Sequence, residues 1–178
     1  QSILTVGTDG ADYLTAPTIN STGDSVMYGY KGADELHGGN GNDTLYGGLG
    51  NDQSYGGKGN DTLIGDAQAN TITGGDGDDY IDGGAGNDYI WGGNGGDTIL
   101  GSDGDDALVG GTEVVYDTSP DGNDSISGGS GNDGISGNRG NDTLNGNSGN
   151  DSFYPGPGSD DVQGGGGTDI AYYDNSTQ

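Results

Sequence analysis

A nine-residue repeat runs through most of this chain and restricts its fold more than any other feature. Three consecutive units read GGNGNDTLY from Gly38, GGLGNDQSY from Gly47 and GGKGNDTLI from Gly56. Further units begin at Gly74, Gly83, Gly92, Gly101, Gly128, Gly137 and Gly146, and weaker ones at Gly29, Pro155 and Gly164. A short period of this kind indicates a solenoid, in which each unit stacks on its neighbours and cannot bury a core alone.

The composition excludes an ordinary globular core. Of 178 residues, 44 are glycine, 26% are hydrophobic, and the formal net charge is -26. Without the repeat, such a chain would stay disordered, because burial could not offset its conformational entropy. Lys31, Lys58 and Arg139 are the only basic residues. We therefore expect cations as partners, no nucleic acid and no membrane insertion.

Each unit follows the pattern G-G-x-G-x-D-x-U-x, where U is a large apolar residue. Glycines at positions one, two and four permit positive φ, so the first six residues are predicted to form a turn. The last three are predicted to form a very short strand whose side chains alternate between two faces. Position eight should face inward in two stacked columns, formed by Leu36, Leu45, Leu63, Ile72, Ile81, Ile90, Ile99, Leu108, Ile126, Ile135, Leu144, Phe153 and Val162. Ser54 takes this position in one unit, where we expect a packing defect.

The repeat resembles that of the RTX (haemolysin-type calcium-binding) family. The resemblance implies an all-β, right-handed parallel β-roll with two sheets of short strands and 18 residues per turn. About eight turns would give a rod roughly 40 Å long. We expect a single domain with an irregular N-terminal coil or cap over residues 1–28, the roll over 29–172 and a tail over 173–178. The N-terminal segment holds one repeat shifted out of frame by an insertion at 16–20, and residues 110–118 form a degenerate or bulged unit.

Position six is aspartate in almost every unit, and stacking is predicted to place these carboxylates in two ladders. One is predicted to contain Asp34, Asp52, Asp88, Asp106, Asp124, Asp142 and Asp160. The other is predicted to contain Asp43, Asp61, Asp79, Asp97, Asp133, Asp151 and Asp169. Carboxylates about 5 Å apart would repel strongly. A calcium ion, which takes six to eight oxygens at about 2.3–2.6 Å, fits between them better than magnesium does.

The resemblance implies that paired aspartates and backbone carbonyls of the turns hold each ion. For the carbonyls we assign the position-four glycines Gly41, Gly50, Gly59, Gly77, Gly86, Gly95, Gly104, Gly122, Gly131, Gly140 and Gly149. Roughly ten calcium ions would bind, and they would bring the net charge from -26 to about -6. Asn70 and Val115 are expected to interrupt one ladder each. Folding should depend on calcium, because the sites do not exist in the unfolded chain.

The sequence contains no cysteine and no recognisable catalytic motif, so we do not expect an enzyme. The resemblance implies a structural module of a secreted or surface-located bacterial protein that leaves the cell by type I secretion and folds in extracellular calcium. Two alternatives stay open. Unpaired end coils and outward aromatics favour a subunit of a self-assembling filament, sheath or surface layer. Stacking of tyrosine and tryptophan on neutral sugars favours a carbohydrate-binding accessory module of a secreted enzyme. Glu113 and Asp117 are candidate ligands for an extra ion.

Overall fold

The computed structural model describes residues 3–16, 23–112 and 121–173. In these ranges it is all-β, with eighteen strands. The strands are β1 Ile3–Val6, β2 Tyr13–Thr15, β3 Ser25–Lys31, β4 Glu35–Asn40, β5 Thr44–Leu49, β6 Gln53–Lys58, β7 Thr62–Ala67, β8 Thr71–Asp76, β9 Tyr80–Ala85, β10 Tyr89–Asn94, β11 Thr98–Asp103, β12 Ala107–Val109, β13 Ser125–Ser130, β14 Gly134–Ser136, β15 Thr143–Ser148, β16 Ser152–Tyr154, β17 Asp161–Gly166 and β18 Ile170–Ala171. No helix that could cross a bilayer occurs in the described residues.

The strands form two parallel sheets of nine strands each. Odd-numbered strands make one sheet and even-numbered strands the other, so the chain changes sheet with every nonapeptide. Pairing of Leu45 with Leu63 shows the 18-residue turn directly. The predicted parallel β-roll with two sheets is therefore confirmed, with about nine turns in place of about eight.

The additional turn comes from the N-terminal segment. Where the sequence predicts an irregular coil over residues 1–28, the structure has β1, β2 and the start of β3. Ile3 pairs with Ser25 and Tyr13 pairs with Glu35, an offset of 22 residues in both sheets. The four residues beyond a normal turn lie between β2 and β3, which agrees with the expected insertion near 16–20. Residues 17–22 lie outside the described chain.

Most strands are longer than the predicted three residues. In β4 the strand continues from Glu35 through Gly38 to Asn40, and Gly39 still pairs with Gly57 of β6. The first three positions of a nonapeptide thus belong to the preceding strand, because the parallel ladder can continue through them. The turn itself shrinks to positions four to six, with Gly41 at φ 117°.

The pairing of the strands on either side of the segment 110–118 corrects the predicted register. Thr98 of β11 pairs with Ser125 of β13, and Ala107 of β12 pairs with Gly134 of β14. Both offsets are 27 residues, so nine extra residues are inserted into one turn. The insertion is as long as one repeat, so it leaves the nine-residue count along the sequence unchanged. It adds no strand between β11 and β13 or between β12 and β14. Glu113 and Asp117 lie outside the described residues.

The core is a single row of side chains in each sheet. Every predicted position-eight residue is buried except Val162, which is partly buried against the others. Met27 and Leu14 extend the two columns toward the N-terminal end. Ser54 is 2% exposed and aligns with Leu36 and Ile72. Two buried apolar side chains per turn make a thin hydrophobic core, so the turns between the sheets must contribute much of the stability.

Candidate metal centre

The position-six aspartates lie in the turns that enter the strands, and most of them are almost completely buried. Asp43 and Asp61 are 1% and 2% exposed. The Oδ1 atom of Asp61 accepts the backbone N–H of Asp43 at 2.7 Å, across one turn of the roll. The same bond recurs from turn to turn and stacks these residues in register.

These hydrogen bonds define two ladders. The first ladder contains Asp12, Asp34, Asp52, Asn70, Asp88, Asp106, Asp133, Asp151 and Asp169. The second ladder contains Ser25, Asp43, Asp61, Asp79, Asp97, Asp124, Asp142 and Asp160.

The predicted ladders were therefore wrong after Asp97 and Asp106. Asp124 follows Asp97, and Asp133 follows Asp106, each across 27 residues. The nine-residue insertion exchanges the two ladders relative to a simple count in eighteens. Val115 lies outside the described residues, and the described ladder bond runs directly from Asp97 to Asp124. Among the described residues, Asn70 is the one interruption between two aspartates.

The second carboxylate oxygen of these aspartates has no hydrogen-bond partner among the described residues, although it is buried. This holds for the Oδ2 atoms of Asp34, Asp43, Asp52, Asp61, Asp79, Asp88, Asp97, Asp106, Asp124, Asp133, Asp142 and Asp151. A buried, unpaired carboxylate oxygen is costly, and proteins normally satisfy it with a donor or a metal ion. The twelve oxygens form a repeated acceptor site that a cation or a hydrogen-bond donor would satisfy.

Each of these oxygens borders a small hollow beside the glycine at position one. At Gly38, an added Cβ would lie 2.6 Å from Asp43 Oδ2 and 2.6 Å from the carbonyl oxygen of Gly56. The two oxygens are therefore close enough to bind one common ion, and only glycine leaves the space open. An aspartate Oδ2 and a carbonyl from the next turn also converge at Gly29, Gly47, Gly56, Gly74, Gly83, Gly92, Gly101, Gly110, Gly137 and Gly146.

The carbonyls that face Oδ2 differ from those assigned from the sequence. They belong to position one of the following turn, whereas the assignment named position four. At Gly140, an added Cβ would approach the Gly122 carbonyl and lie 2.6 Å from Asp142 Oδ1. The position-four carbonyl of Gly122 thus lies beside Oδ1. The pattern letters do not reveal this difference, because both positions are glycine.

The donor set is carboxylate and carbonyl oxygen. No group of three or more His, Cys, Asp or Glu side chains converges within residues 3–16, 23–112 and 121–173. Backbone oxygens must therefore supply most of any coordination shell. Such a shell suits calcium, which accepts many carbonyl ligands in flexible geometry, and does not suit zinc.

The electrostatics of the ladders are unfavourable without a counterion. Burial, together with the neighbouring Asp79 and Asp124 carboxylates, raises the pKa of Asp97 to about 8, although one backbone hydrogen bond acts in the opposite direction. Burial likewise raises the pKa of Asp61 and Asp106 to about 7. Raised values mean that the folded chain disfavours the ionised form these residues would have at neutral pH. A bound divalent cation would reverse this preference.

Asn70 shows how one turn avoids the same problem. Its Oδ1 accepts the Asp52 N–H at 3.0 Å, as an aspartate would. Its Nδ2 takes the place of Oδ2 and donates to the Gln68 carbonyl at 2.8 Å. The amide therefore satisfies this turn with a hydrogen bond, and its neutral N–H group, with a partial positive charge on hydrogen, lies where other turns present an anion.

Position five contributes a further ladder that the sequence reasoning missed. The backbone N–H of Asn60 donates to Oδ1 of Asn42 at 3.0 Å, one turn earlier. Asn141 and Asn123 repeat this bond at 2.8 Å. The signal was present as the recurrent Asn or Asp before the position-six aspartate. These side chains link adjacent turns beside the position-four glycines, as Asn42 Oδ1 does near Gly59.

The fold and the hollows define a class, the calcium-binding β-solenoids. A family model described as the RTX calcium-binding nonapeptide repeat matches residues 19–54, 55–90, 82–112, 121–153 and 136–171. The matches cover most of the chain, so the chain belongs to the RTX repeat family and is a calcium-binding structural β-roll. No curated protein shows a significant match to it.

Proposed function

We propose that this chain is a structural roll that folds when calcium fills its two aspartate ladders. The observation that carries the proposal is the set of twelve buried Oδ2 atoms without a hydrogen-bond partner in the described chain. Each ion would lie between two stacked aspartates of a ladder and would bind the Oδ2 of one of them, a position-one carbonyl of the next turn and further oxygens of the two turns. The carboxylate ligands are the aspartates of the two ladders, which run from Asp12 to Asp169 and from Asp43 to Asp160.

The corrected ladders change the expected number of ions. Each ladder contains six adjacent aspartate pairs, once Asn70 and Ser25 are left out. If each pair binds one ion, twelve divalent ions would reduce the net charge from -26 to about -2. Near-neutrality of the loaded roll supports this stoichiometry over the roughly ten ions predicted from the repeat.

Calcium would act here as a folding ligand and not as a catalytic metal. It would supply positive charge to stacked carboxylates, which otherwise repel each other by roughly 3 kcal/mol per neighbouring pair at an effective dielectric constant near 20. The protein's part is to position Oδ2 and the carbonyls around each glycine hollow. The described residues bring no nucleophile or acid–base pair to a cleft, so we propose a non-catalytic role.

Circular dichroism during a calcium titration tests this function. The chelated chain at neutral pH should be disordered, and calcium should produce a β-rich spectrum. Magnesium at the same concentration should not, because it demands tighter octahedral geometry. A chain that keeps its β-rich spectrum in chelator would refute the proposal.

We also propose that the roll works outside the cell, in a secreted or surface-located bacterial protein. Calcium-dependent folding would let the chain cross an export channel unfolded and fold afterwards. Membership of the RTX family and the charge of -26 support this route. The folding midpoint should then lie at roughly 10⁻⁴–10⁻³ M calcium, as for extracellular modules. A midpoint below about 10⁻⁶ M would contradict extracellular switching.

A second candidate function, binding of a neutral sugar, rests on one surface groove of about 540 Å³. Tyr28 and Tyr46 stack along one side with ring centroids 4.8 Å apart. Tyr30 and Asp66 flank Gly48 at its floor, with φ of 77° and 78°. Position two has a positive φ in other units too, at Ser102, Asn138 and Asn147, so the stacked tyrosines and not the backbone carry this candidate. The acidic surroundings favour a neutral ligand over an anionic one.

Titration of the calcium-loaded protein with maltoheptaose and with cellohexaose, followed by NMR, tests this groove. Shifts should concentrate at the groove tyrosines and disappear in Tyr46→Ala, while Tyr89→Ala on the other sheet should change nothing. If neither oligosaccharide shifts these signals at millimolar concentration, the groove is not a site for neutral glucans.

A further inference from the structure

Both ends of the roll present unpaired strands in the described chain. At one end β1 and β2 have a neighbour on one side only, and at the other end β17 and β18 do. Large apolar side chains are exposed at both ends, with Leu4 at 65%, Tyr13 at 67% and Ile170 at 50%. Such edges can pair with another chain unless something covers them.

Among the described residues, the last aspartate of the first ladder is Asp169. The Oδ1 atom of Asp169 accepts the Asp151 N–H at 3.0 Å, and its Oδ2 borders the hollow at Gly164. One turn earlier, the hollow at Gly146 receives the carbonyl of Gly164. The described residues end at Tyr173, so none of them supplies a carbonyl to the Gly164 hollow. The backbone N–H of Asp169 likewise finds no Oδ1 among them.

The N-terminal end presents the groups that the Gly164 hollow lacks among the described residues. Asp12 is the first aspartate of the same ladder, and an added Cβ at Gly7 would lie 2.8 Å from both Asp12 Oδ2 and the Gly29 carbonyl. The nonapeptide at Gly7 therefore has the layout of the internal ones. Thr8 donates to Oδ2 of Asp12, which leaves Oδ1 available within the described chain.

We propose that copies of this chain stack head to tail and bind one calcium ion at each joint. The ion would bind Oδ2 of Asp169 in one copy and the Gly7 carbonyl of the next, with Asp12 of that copy continuing the ladder. Strand β17 would pair with β1, and β18 with β2. The inference rests on the calcium-binding function proposed above, because the ion at the joint would have the same ligands as an ion at an internal site.

The residues that would meet across the joint are compatible. In the ladder register, Ile170 meets Tyr13 of the next copy, so two exposed apolar side chains cover each other. Ala171 meets Leu14, which is already buried in its own copy. The second ladder does not continue in this way. Its last aspartate, Asp160, would meet Ile3, which aligns with Ser25 and has no carboxylate. The joint therefore has one aspartate pair.

This asymmetry provides a matched pair of variants. Asp169→Asn and Asp160→Asn each change the last aspartate of a ladder, and each removes one internal aspartate pair. Only Asp169→Asn also removes the pair across the joint. Tyr13→Asp serves as a second test, since it places a charge on the facing edge and leaves every ladder aspartate intact.

Sedimentation velocity in saturating calcium, over a range of protein concentrations, measures assembly. The wild-type chain and Asp160→Asn should form species at multiples of 17.6 kDa. Asp169→Asn and Tyr13→Asp should associate at least about tenfold more weakly. Circular dichroism on the same samples shows whether each variant is folded.

The outcomes separate this inference from the proposed function. A folded, calcium-loaded wild type that stays monomeric at all concentrations overturns the joint and leaves calcium-dependent folding standing. Equal association of Asp169→Asn and Asp160→Asn also overturns it. Assembly that appears only after residues 174–178 are deleted would identify this segment, and not a second copy, as the cover of the end. Failure of the wild type to fold with calcium refutes the proposed function itself.

Discussion

Replacing Asn70 by aspartate should convert a hydrogen-bonded turn into a calcium-binding one. The change restores a carboxylate between Asp52 and Asp88, which creates two new aspartate pairs in the first ladder. The number of bound ions should therefore rise from twelve to fourteen. Gln68, with φ 70°, already gives this turn the left-handed conformation that glycine has in other units.

The effect on stability should change sign with calcium. At a calcium concentration 100-fold above the dissociation constant, each added site stabilises the fold by about 2.7 kcal/mol, so two sites contribute about 5 kcal/mol. Without calcium, Asn70→Asp loses the Nδ2 hydrogen bond to Gln68, worth about 1 kcal/mol, and adds one more buried carboxylate.

Urea unfolding in saturating calcium, together with equilibrium dialysis, measures both quantities. Gln53→Glu is the matched control, because it adds the same charge at an exposed position and keeps the oxygen that accepts the Tyr55 hydroxyl. The control should bind twelve ions with unchanged stability. If Asn70→Asp binds no more calcium than the control, the assignment of Oδ2 as the ion ligand is refuted.

Three further predictions follow from the same geometry. Gly38→Ala should bind one ion fewer, because the added Cβ fills the hollow between Asp43 and the Gly56 carbonyl, whereas Gly134→Ala, whose added Cβ has no atom nearer than 3.8 Å, should bind the full number. Equal calcium binding by the two variants would contradict the hollow as the ion site. Deletion of residues 113–121 joins Gly110, Gly111 and Thr112 to Gly122, Asn123 and Asp124, and it should preserve both ladders and the number of bound ions measured by dialysis. Loss of calcium-induced folding would show instead that the segment is a true half-turn. Burial raises the pKa of the ladder aspartates, to about 6 for Asp79, about 7 for Asp61 and about 8 for Asp97. The stability of the metal-free roll should therefore be fully present below about pH 4 and lost as pH rises through about 6 to 8, and identical spectra of the calcium-free chain at pH 4 and pH 8 would contradict this linkage.

The repeat predicted the main architecture because its information is strictly periodic. Apolar residues at position eight specify the inward face, and the period specifies the stacking distance along the chain. Burial of Leu45, Leu63 and Ile81 in one column follows directly. The frame shift of four residues before Ser25 was also visible, since it broke the nine-residue count.

The errors arose where counting the sequence in units of nine does not follow the path of the chain through the roll. An insertion of nine residues leaves the count unchanged, so Asp124 was assigned to the ladder of Asp106 when it follows Asp97. The strand length was underestimated because glycine has low strand propensity, although Gly39 and Gly57 pair within a parallel ladder. The assignment of position-four carbonyls as ligands stays a prediction. That position-one carbonyls lie beside Oδ2 depends on backbone direction, which identical glycines do not encode.

Calcium stoichiometry measured with folding on the same samples gives the most direct test of the two-ladder structure. Equilibrium dialysis with elemental analysis would count the ions, and circular dichroism would follow the β-rich spectrum. We expect saturation near twelve ions per chain, with the spectrum changing from disordered to β-rich over the same calcium range. A β-rich chain in chelator, or saturation at one or two ions, would contradict the assignment of the paired aspartates as calcium ligands.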